Sequence, residues 1–344
     1  MDLLTHIIVG GCVAQIPSQS TTSDSTIKLS FYQRAIIGGI AALFPDIDYL
    51  LFLWDPLEFL AYWHRAETHS LLLVPIWAVL LTKLWTMSDR LKPFQPLIFW
   101  ICLLAVTSHS LVDSLTVFGT QWFAPFSDYR ISWNLLFIID IYFTMLVILT
   151  LIGMYCWPHK KSVYLPLLLP MCYLLFVDQI KQTAYQELAI NSSSPSATIT
   201  LLPQPLSPFY WHVIKKDTQQ ISSAYFRLTD DPLAPILSEL LGKQHYSNHF
   251  QSLPKLQWVN YVLLPEDSQL RADAKTVWHH QSFHAFRDFA VYPIFYQQNI
   301  RGGQSCIWFS DLRYHSPEFL PSFRYGMCSG AEKNWTVHSM KYLT

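Results

Sequence analysis

Six apolar runs fill the first 180 residues, and they constrain the fold more than any other feature of the chain. They cover residues 1–16, 35–54, 71–87, 96–118, 135–157 and 163–180. A helix needs about 20 apolar residues to cross a bilayer core of about 30 Å, and most of the runs approach that length. Residues 1–16 are shorter, and they open with Asp2 in place of basic residues and lack an A-x-A cleavage pattern. They read as a retained short membrane helix, spanning or re-entrant, and not as a secretory signal. Only 14% of the 344 residues are charged, against about 25% in soluble proteins. The expected fold class is therefore a polytopic α-helical membrane domain of about six helices.

After Lys181 the pattern changes. Residues 191–208 are rich in Ser and Pro and read as a linker. Residues 210–228 alternate around Lys216-Asp217-Thr218-Gln219 as two strands would, and 304–309 and 323–328 read as further strands. A short helix is expected over 233–241. The organisation is thus a membrane-embedded domain over 1–182, a linker over 183–208, and a smaller, mainly β or α+β water-soluble domain over 209–344.

Charge sets the expected orientation, because positive residues flanking membrane segments favour the cytoplasm. Lys28 and Arg34 follow the first run, Lys83, Arg90 and Lys92 the third, and Lys160 and Lys161 the fifth. The opposite side holds mainly Arg65, Arg130 and Lys181. Six spans with both termini outside satisfy that bias and make the C-terminal domain extracytoplasmic. In an oxidising compartment Cys306 and Cys328 could pair.

Several function classes find no support. A net charge of −1 without a basic, aromatic-interleaved patch gives no sign of nucleic-acid binding. No CxxC, G-x-S-x-G, P-loop or Rossmann glycine pattern is present. Cys12, Cys102, Cys156 and Cys172 lie in apolar runs and read as small hydrophobes.

Against this background the polar intrusions stand out. His109 and Asp113 are four apart, one face of a helix, and can offer two ligands to one metal. The charge-derived topology places His6, Asp46, Asp48, His64, His69, His109 and Asp113 all on the outer half of the membrane, where one site could collect them. Such imidazoles and carboxylates without thiolate suit a divalent metal, above all zinc, with manganese or iron as alternatives, and there are donors enough for one or two ions. Arg65 and Arg130 could hold phosphate oxygens, or pair with Asp128 or Asp140. Asp140 itself reads as a supporting group and not a ligand. The run Trp278-His279-His280-x-x-x-His284 has usable spacing but no placed carboxylates, and reads as an exposed helix face.

The motifs Asp2-Leu-Leu-Thr-His6, Phe44-Pro-Asp-Ile-Asp48, His64-Arg-x-x-Thr-His-Ser70, Ser108-His-Ser-Leu-Val-Asp113, the Phe118-Gly-Thr loop with Pro125-Phe-Ser, and Ile138-Ile-Asp140 together resemble the YdjM-type family of inner-membrane metal-dependent hydrolases. The resemblance covers roughly residues 1–180, while the Trp211 strand pair and Ser310-Asp-Leu-Arg-Tyr314 resemble the tail of longer members. It implies a bacterial inner-membrane, hydrolytic protein. Ala66 stands where the pattern has glycine. The ligand order His, Asp, His, His-x3-Asp is also similar to zinc-dependent phospholipase C, which implies a phosphoester with a lipid head group. That family's later His and Glu ligands have no match here, so a three-metal site is not expected.

The functional expectation is a membrane-bound hydrolase that cleaves a lipid or lipid-linked phosphoester through a metal-activated water, with Trp122 and Phe123 against the apolar part of the substrate. The alternative is a non-enzymatic membrane protein whose C-terminal domain binds a partner and whose polar membrane residues are structural. A transporter is a weaker third reading, because no paired broken helices are evident.

Overall fold

The structure, a computed structural model, describes residues 1–17, 28–157, 164–191, 197–217, 220–329 and 335–340. The polar tract after Ile16 and the basic cluster at 159–161 lie almost wholly outside the described residues, as does part of the turn at 216–219. The chain forms two compact units. The first is Met1–Leu53 with Trp63–Gln179; the second begins again at Ile180 and also takes Trp54–Tyr62.

Helix α1 (Leu3–Val13) starts at Asp2, whose carboxylate accepts the Thr5 N–H. Helix α2 (Phe31–Leu43) starts with a capping box in which Ser30 and Gln33 satisfy each other's backbone N–H. It runs straight into a 3₁₀ stretch, Phe44–Leu53. The short α3 (Pro56–Glu58) belongs to the second unit. Helices α4 (Val74–Trp85), α5 (Gln95–Ser114) and α6 (Ile141–Cys156) follow, and α7 (Leu168–Ile190) carries the chain from one unit to the other. The core of the first unit is made of small and branched residues from α2, α4 and α5, among them Ile37, Ala41, Ala78, Ile98 and Ala105.

Of the six expected spans, two or three are borne out among the described residues as candidates. Among the described residues Phe31–Leu53 and Lys92–Ser114, each 23 residues long, are long and apolar enough to cross a membrane. The bent pair Pro56–His69 and Val74–Trp85 makes a third if it is counted as one span. Length limits two of the others: α1 has 11 residues and α6 has 16, about 16 and 24 Å at 1.5 Å per residue, short of a core of about 30 Å. Composition limits α7, whose 23 residues include Asp178, Lys181 and Glu187.

Helices α1 and α2 meet backbone to backbone. A methyl added at Gly10 would strike the Gly38 carbonyl, and one at Gly38 would strike Gly10. This close approach holds α1 against α2 one turn from His6, at the depth where the imidazole works.

The second unit has two four-stranded antiparallel sheets, each in sequential order. One is β1 (Thr198–Pro203), β2 (Tyr210–Lys216), β3 (Ile221–Arg227) and β4 (Val259–Tyr261). The other is β5 (Pro293–Arg301), β6 (Gln304–Asp311), β7 (Arg324–Ser329) and β8 (Trp335–Ser339). Helix α8 (Leu233–Leu240) lies between β3 and β4, and α9 (Ser268–His279) and α10 (His284–Phe289) lie between the two sheets in sequence. The stretch expected as a linker thus carries the end of α7 and all of β1, because the alternating Thr198–Pro203 finds β2 as partner, Thr198 opposite Lys216. Cys306 and Cys328 are register partners on β6 and β7 and form a disulfide. Asp311 closes the end of the second sheet. It accepts from the N–H groups of Val291 at 2.9 Å and Arg313 at 3.0 Å, and pairs with the Arg313 guanidinium at 2.8 Å. The Ser310-Asp-Leu-Arg-Tyr314 motif is therefore a structural corner.

Two histidines are built into this unit's core. Burial pushes His212 down to about 3. Burial likewise pushes His315, bonded to Ser310 Oγ at 2.9 Å, down to about 4.

Two predictions follow from this architecture. Gly10→Ala should lower stability by about 1–3 kcal/mol, whereas Gly11→Ala, whose methyl meets nothing nearer than 3.7 Å, should not; thermal unfolding in detergent checks both. An unfolded histidine titrates near 6.5, so below that pH the unfolded chain binds protons that the folded core refuses, and stability falls as pH drops toward 3–4. The loss is at most about 1.4 kcal/mol per pH unit for each histidine. Near-UV circular dichroism of the full chain should show the second unit melting earlier at pH 5 than at pH 7, with a smaller difference in His212→Phe.

Candidate metal centre

The 3₁₀ stretch after α2 carries Asp46 and Asp48. At three residues per turn, positions two apart point about 120° away from each other. Asp46 keeps 12% of its side chain exposed, while Asp48 is buried at 3%. Beyond Trp63 the backbone turns sharply: Arg65 adopts a left-handed conformation with φ 58°. The single 3₁₀ turn Glu67–His69 then delivers His69 to the interior. Helix α5 presents His109 and Asp113 from one face, both buried.

These segments bring four donor atoms together. His69 Nε2 and His109 Nε2 face each other at 3.0 Å. Asp113 Oδ2 lies 3.4 Å from each, and Asp46 Oδ1 lies 3.6 Å from His69 and 3.7 Å from His109. Among the described residues this is the group of His, Cys, Asp and Glu side chains arranged to hold a metal ion.

Hydrogen bonding decides which ring nitrogens are bare. His109 Nδ1 lies 2.6 Å from the Ala42 carbonyl, which can only accept, so the proton sits on Nδ1. Thr68 Oγ1 donates to Asp48 Oδ2 at 3.4 Å and therefore accepts from His69 Nδ1 at 2.9 Å. Both Nε2 atoms then direct lone pairs at the same point. Two lone pairs 3.0 Å apart in a buried site repel unless a proton or a metal ion sits between them. A tetrahedral shell with bonds of about 2.0–2.2 Å has edges of about 3.3–3.6 Å. The five measured separations run from 3.0 to 3.7 Å. The residues fit a divalent ion.

The remaining expected residues surround this core instead of joining it. Asp48 is an organiser: it lies 3.2 Å from His64 Nδ1, accepts the Arg65 N–H at 3.1 Å, and stands 3.6 Å from His69 Nδ1. A carboxylate behind a ligating histidine fixes its tautomer and raises its basicity. His64 is thus Asp48's partner, with its ring also against Phe118. His6 stacks on His109 at 3.7 Å between ring centroids, and its Nε2 lies 3.1 Å from Asp113 Oδ1. The Met1 nitrogen contacts the same oxygen.

Arg65 is buried and its Nε approaches Asp113 Oδ2 to 2.8 Å, while NH1 donates to Thr116 Oγ1 at 2.8 Å. It therefore pairs with Asp113 instead of Asp128 or Asp140. Arg130 donates to the His64 carbonyl at 3.0 Å, and both guanidinium groups lie about 5 Å from the Phe118 ring. Asp140 stands outside the cluster, capping α6 through the Phe143 N–H and accepting from the Tyr173 hydroxyl.

The loop after α5 is fastened to the same segments. Gln121 N–H donates to the Arg65 carbonyl at 2.9 Å, and Ser70 Oγ donates to the Ala124 carbonyl at 2.6 Å. Trp122 is spent internally, its indole N–H on Ser114 Oγ at 2.7 Å, while Phe123 is exposed. Sequence reasoning passed over Thr116 and the Ala42 carbonyl, and held Thr68 only as a member of the His64–Ser70 motif.

Apolar helices around a buried His–Asp cluster define a helical membrane protein with a candidate metal centre. The chain belongs to the YdjM inner membrane protein family, whose model matches residues 1–184. It is 30% identical over 138 residues to a Bacillus subtilis (strain 168) protein named "Uncharacterized protein YfhP", covering 40% of this chain and 41% of that one. It is 33% identical over 99 residues to "Inner membrane protein YbcI" of Escherichia coli (strain K12), covering 27% of this chain and 54% of that one. The chain thus spans about half the length of the curated relatives it matches, or less. No solved structure matches it. The family and the apolar helices fit a bacterial inner membrane.

Elemental analysis of the purified protein tests the centre: it should carry a divalent metal that His109→Ala and Asp113→Ala lose. Asp48→Asn should retain the site with about 10- to 100-fold weaker affinity, and Asp140→Asn should leave affinity unchanged. Full occupancy in both alanine variants would overturn the assignment.

Proposed function

We propose that this protein is a membrane-bound metal-dependent hydrolase acting on a phosphoester of a lipid or lipid-linked substrate. The observation that carries the reading is the pair of bare Nε2 atoms of His69 and His109, 3.0 Å apart, with Asp113 and Asp46 completing the donor set. A divalent ion held there supplies Lewis-acid polarisation of a phosphoryl oxygen and lowers the pKa of a water.

The chain's own residues divide the remaining work. His69, His109 and Asp113 are fully buried and form the fixed wall, and Asp46 is the donor at the solvent edge, where substrate enters. Asp48, through the Thr68 hydroxyl, holds His69 in the tautomer that leaves Nε2 bare. Arg65 neutralises and orients Asp113 from behind, which removes it from direct phosphate binding. Arg130, half-buried and bonded to the His64 carbonyl, is assigned the approach to a phosphate oxygen. Exposed Ile47, Tyr49, Leu50 and Leu53 on the stretch that carries Asp46 offer an apolar bed for acyl chains. Zinc is the first choice of ion for a two-His, two-carboxylate set. A multi-pass topology with the C-terminal unit outside the cytoplasm accords with the flanking charges and with the Cys306–Cys328 disulfide.

A second reading, a non-enzymatic protein whose C-terminal unit binds a partner, is favoured by the outward face of α8. There Leu233, Ile236 and Leu240 are all exposed beside Leu241.

The deciding experiment is hydrolysis of phosphomonoester and phosphodiester lipids by the purified protein in detergent. Activity should vanish with chelator, return with zinc or manganese, and fall at least about 100-fold in Asp46→Asn. Metal-loaded protein that cleaves no phospholipid class would reject the hydrolase and leave the second reading.

A further inference from the structure

The segment Trp54–Tyr62 lies in sequence between the two acidic residues of the metal centre and His64, yet it belongs to the second unit. Within that unit it is packed and bonded. Leu57 and Phe59 are buried, Phe59 completely. Asp55 caps α3 by accepting from the Leu57 and Glu58 N–H groups at 2.9 and 3.0 Å. The Tyr62 hydroxyl donates to Asp288 at 2.5 Å, Glu58 pairs with His284 at 3.2 Å, and the Tyr62 and His284 rings stack with centroids 6.0 Å apart. Asp288 and His284 both stand on α10. Two residues after Tyr62 comes His64, which holds Asp48; six residues before Trp54 comes Asp48 itself.

We infer that Glu58 and Tyr62 are positioning residues for the metal centre, and that α10 of the C-terminal unit, through His284 and Asp288, clamps the segment joining the two ligand-bearing stretches. A free nine-residue connector would let the 3₁₀ stretch with Asp46 and the turn with His69 drift independently. Anchoring its middle on a disulfide-stapled domain fixes where both ends leave. The C-terminal unit is then part of the centre's construction, and His284 finds its use as a partner of Glu58. The consequence for metal affinity rests on the metal-centre reading above; the clamp does not.

The test uses the full chain in detergent, with hydrogen exchange measured in chelator and metal affinity measured separately with zinc. Asp288→Ala combined with His284→Ala should raise exchange over residues 44–53 and 63–69 and weaken zinc binding about tenfold. Protection of β5–β7 reports that the second unit is still folded. Asp288→Asn, which keeps an acceptor for the Tyr62 hydroxyl, should behave as the parent. If the double variant unfolds the second unit, Tyr62→Phe, which loses only one hydroxyl, takes its place. Unchanged exchange over both segments in a folded variant overturns the clamp, and raised exchange with unchanged zinc affinity overturns the positioning role. Failure of the parent to bind zinc would reject the metal reading, while the exchange result would still decide the clamp.

Discussion

The first unit is arranged around one deeply buried negative charge. Asp113 is 1% exposed, and an unpaired carboxylate in such surroundings is far too costly to keep. Its neighbours answer that need from several directions. Arg65 reaches it from a left-handed backbone conformation that strains any residue other than glycine, by roughly 1–2 kcal/mol. His6 arrives from α1, and His69 and His109 lie 3.4 Å from the second oxygen. The same charge that requires these partners makes a place where a dication is favoured.

A second carboxylate, Asp48, does for orientation what Asp113 does for charge. It gathers His64, the Arg65 backbone, Thr68 and His69 into one network, so that ligands from two short 3₁₀ segments are aimed at α5. Short segments of this kind have little rigidity of their own. Their precision comes from anchors: α2 on one side, the loop bonded to Ser70 on the other, and glycine contacts that set the height of α1.

Much of this was legible in the residues. The four-residue spacing of His109 and Asp113 and the presence of several His and Asp residues within apolar runs pointed to one site, and alternation around 216–219 marked the β2–β3 hairpin. Other features were hidden for physical reasons. Asp46 and Asp48 share one motif, and only the phase of a 3₁₀ turn separates ligand from organiser. The partner of Arg65 lies 48 residues away on α5, a pairing that local pattern does not encode. Asp140 looks like an intramembrane acid but is a helix cap bonded to Tyr173. The apolar runs became candidate spans, shorter helices, a bent pair and a 23-residue helix interrupted by Asp178, Lys181 and Glu187, because length, breaks and charges together decide among them. Nothing in the aromatic connector 54–62 announced that it folds with residues more than two hundred positions later.

That last distance bears on how the protein is made. Tyr62 and Asp288 are separated by 226 residues, so the connector leaves the ribosome long before the helix that receives it. Synthesis proceeds at about 5–20 residues per second, which leaves the connector without its partner for roughly ten to fifty seconds. Both acidic residues are made before that interval begins, and the Arg65 turn and all of α5 are produced within it. With the proposed clamp, maturation of the candidate site becomes a late event, completed only when the final third of the chain has been delivered and folded.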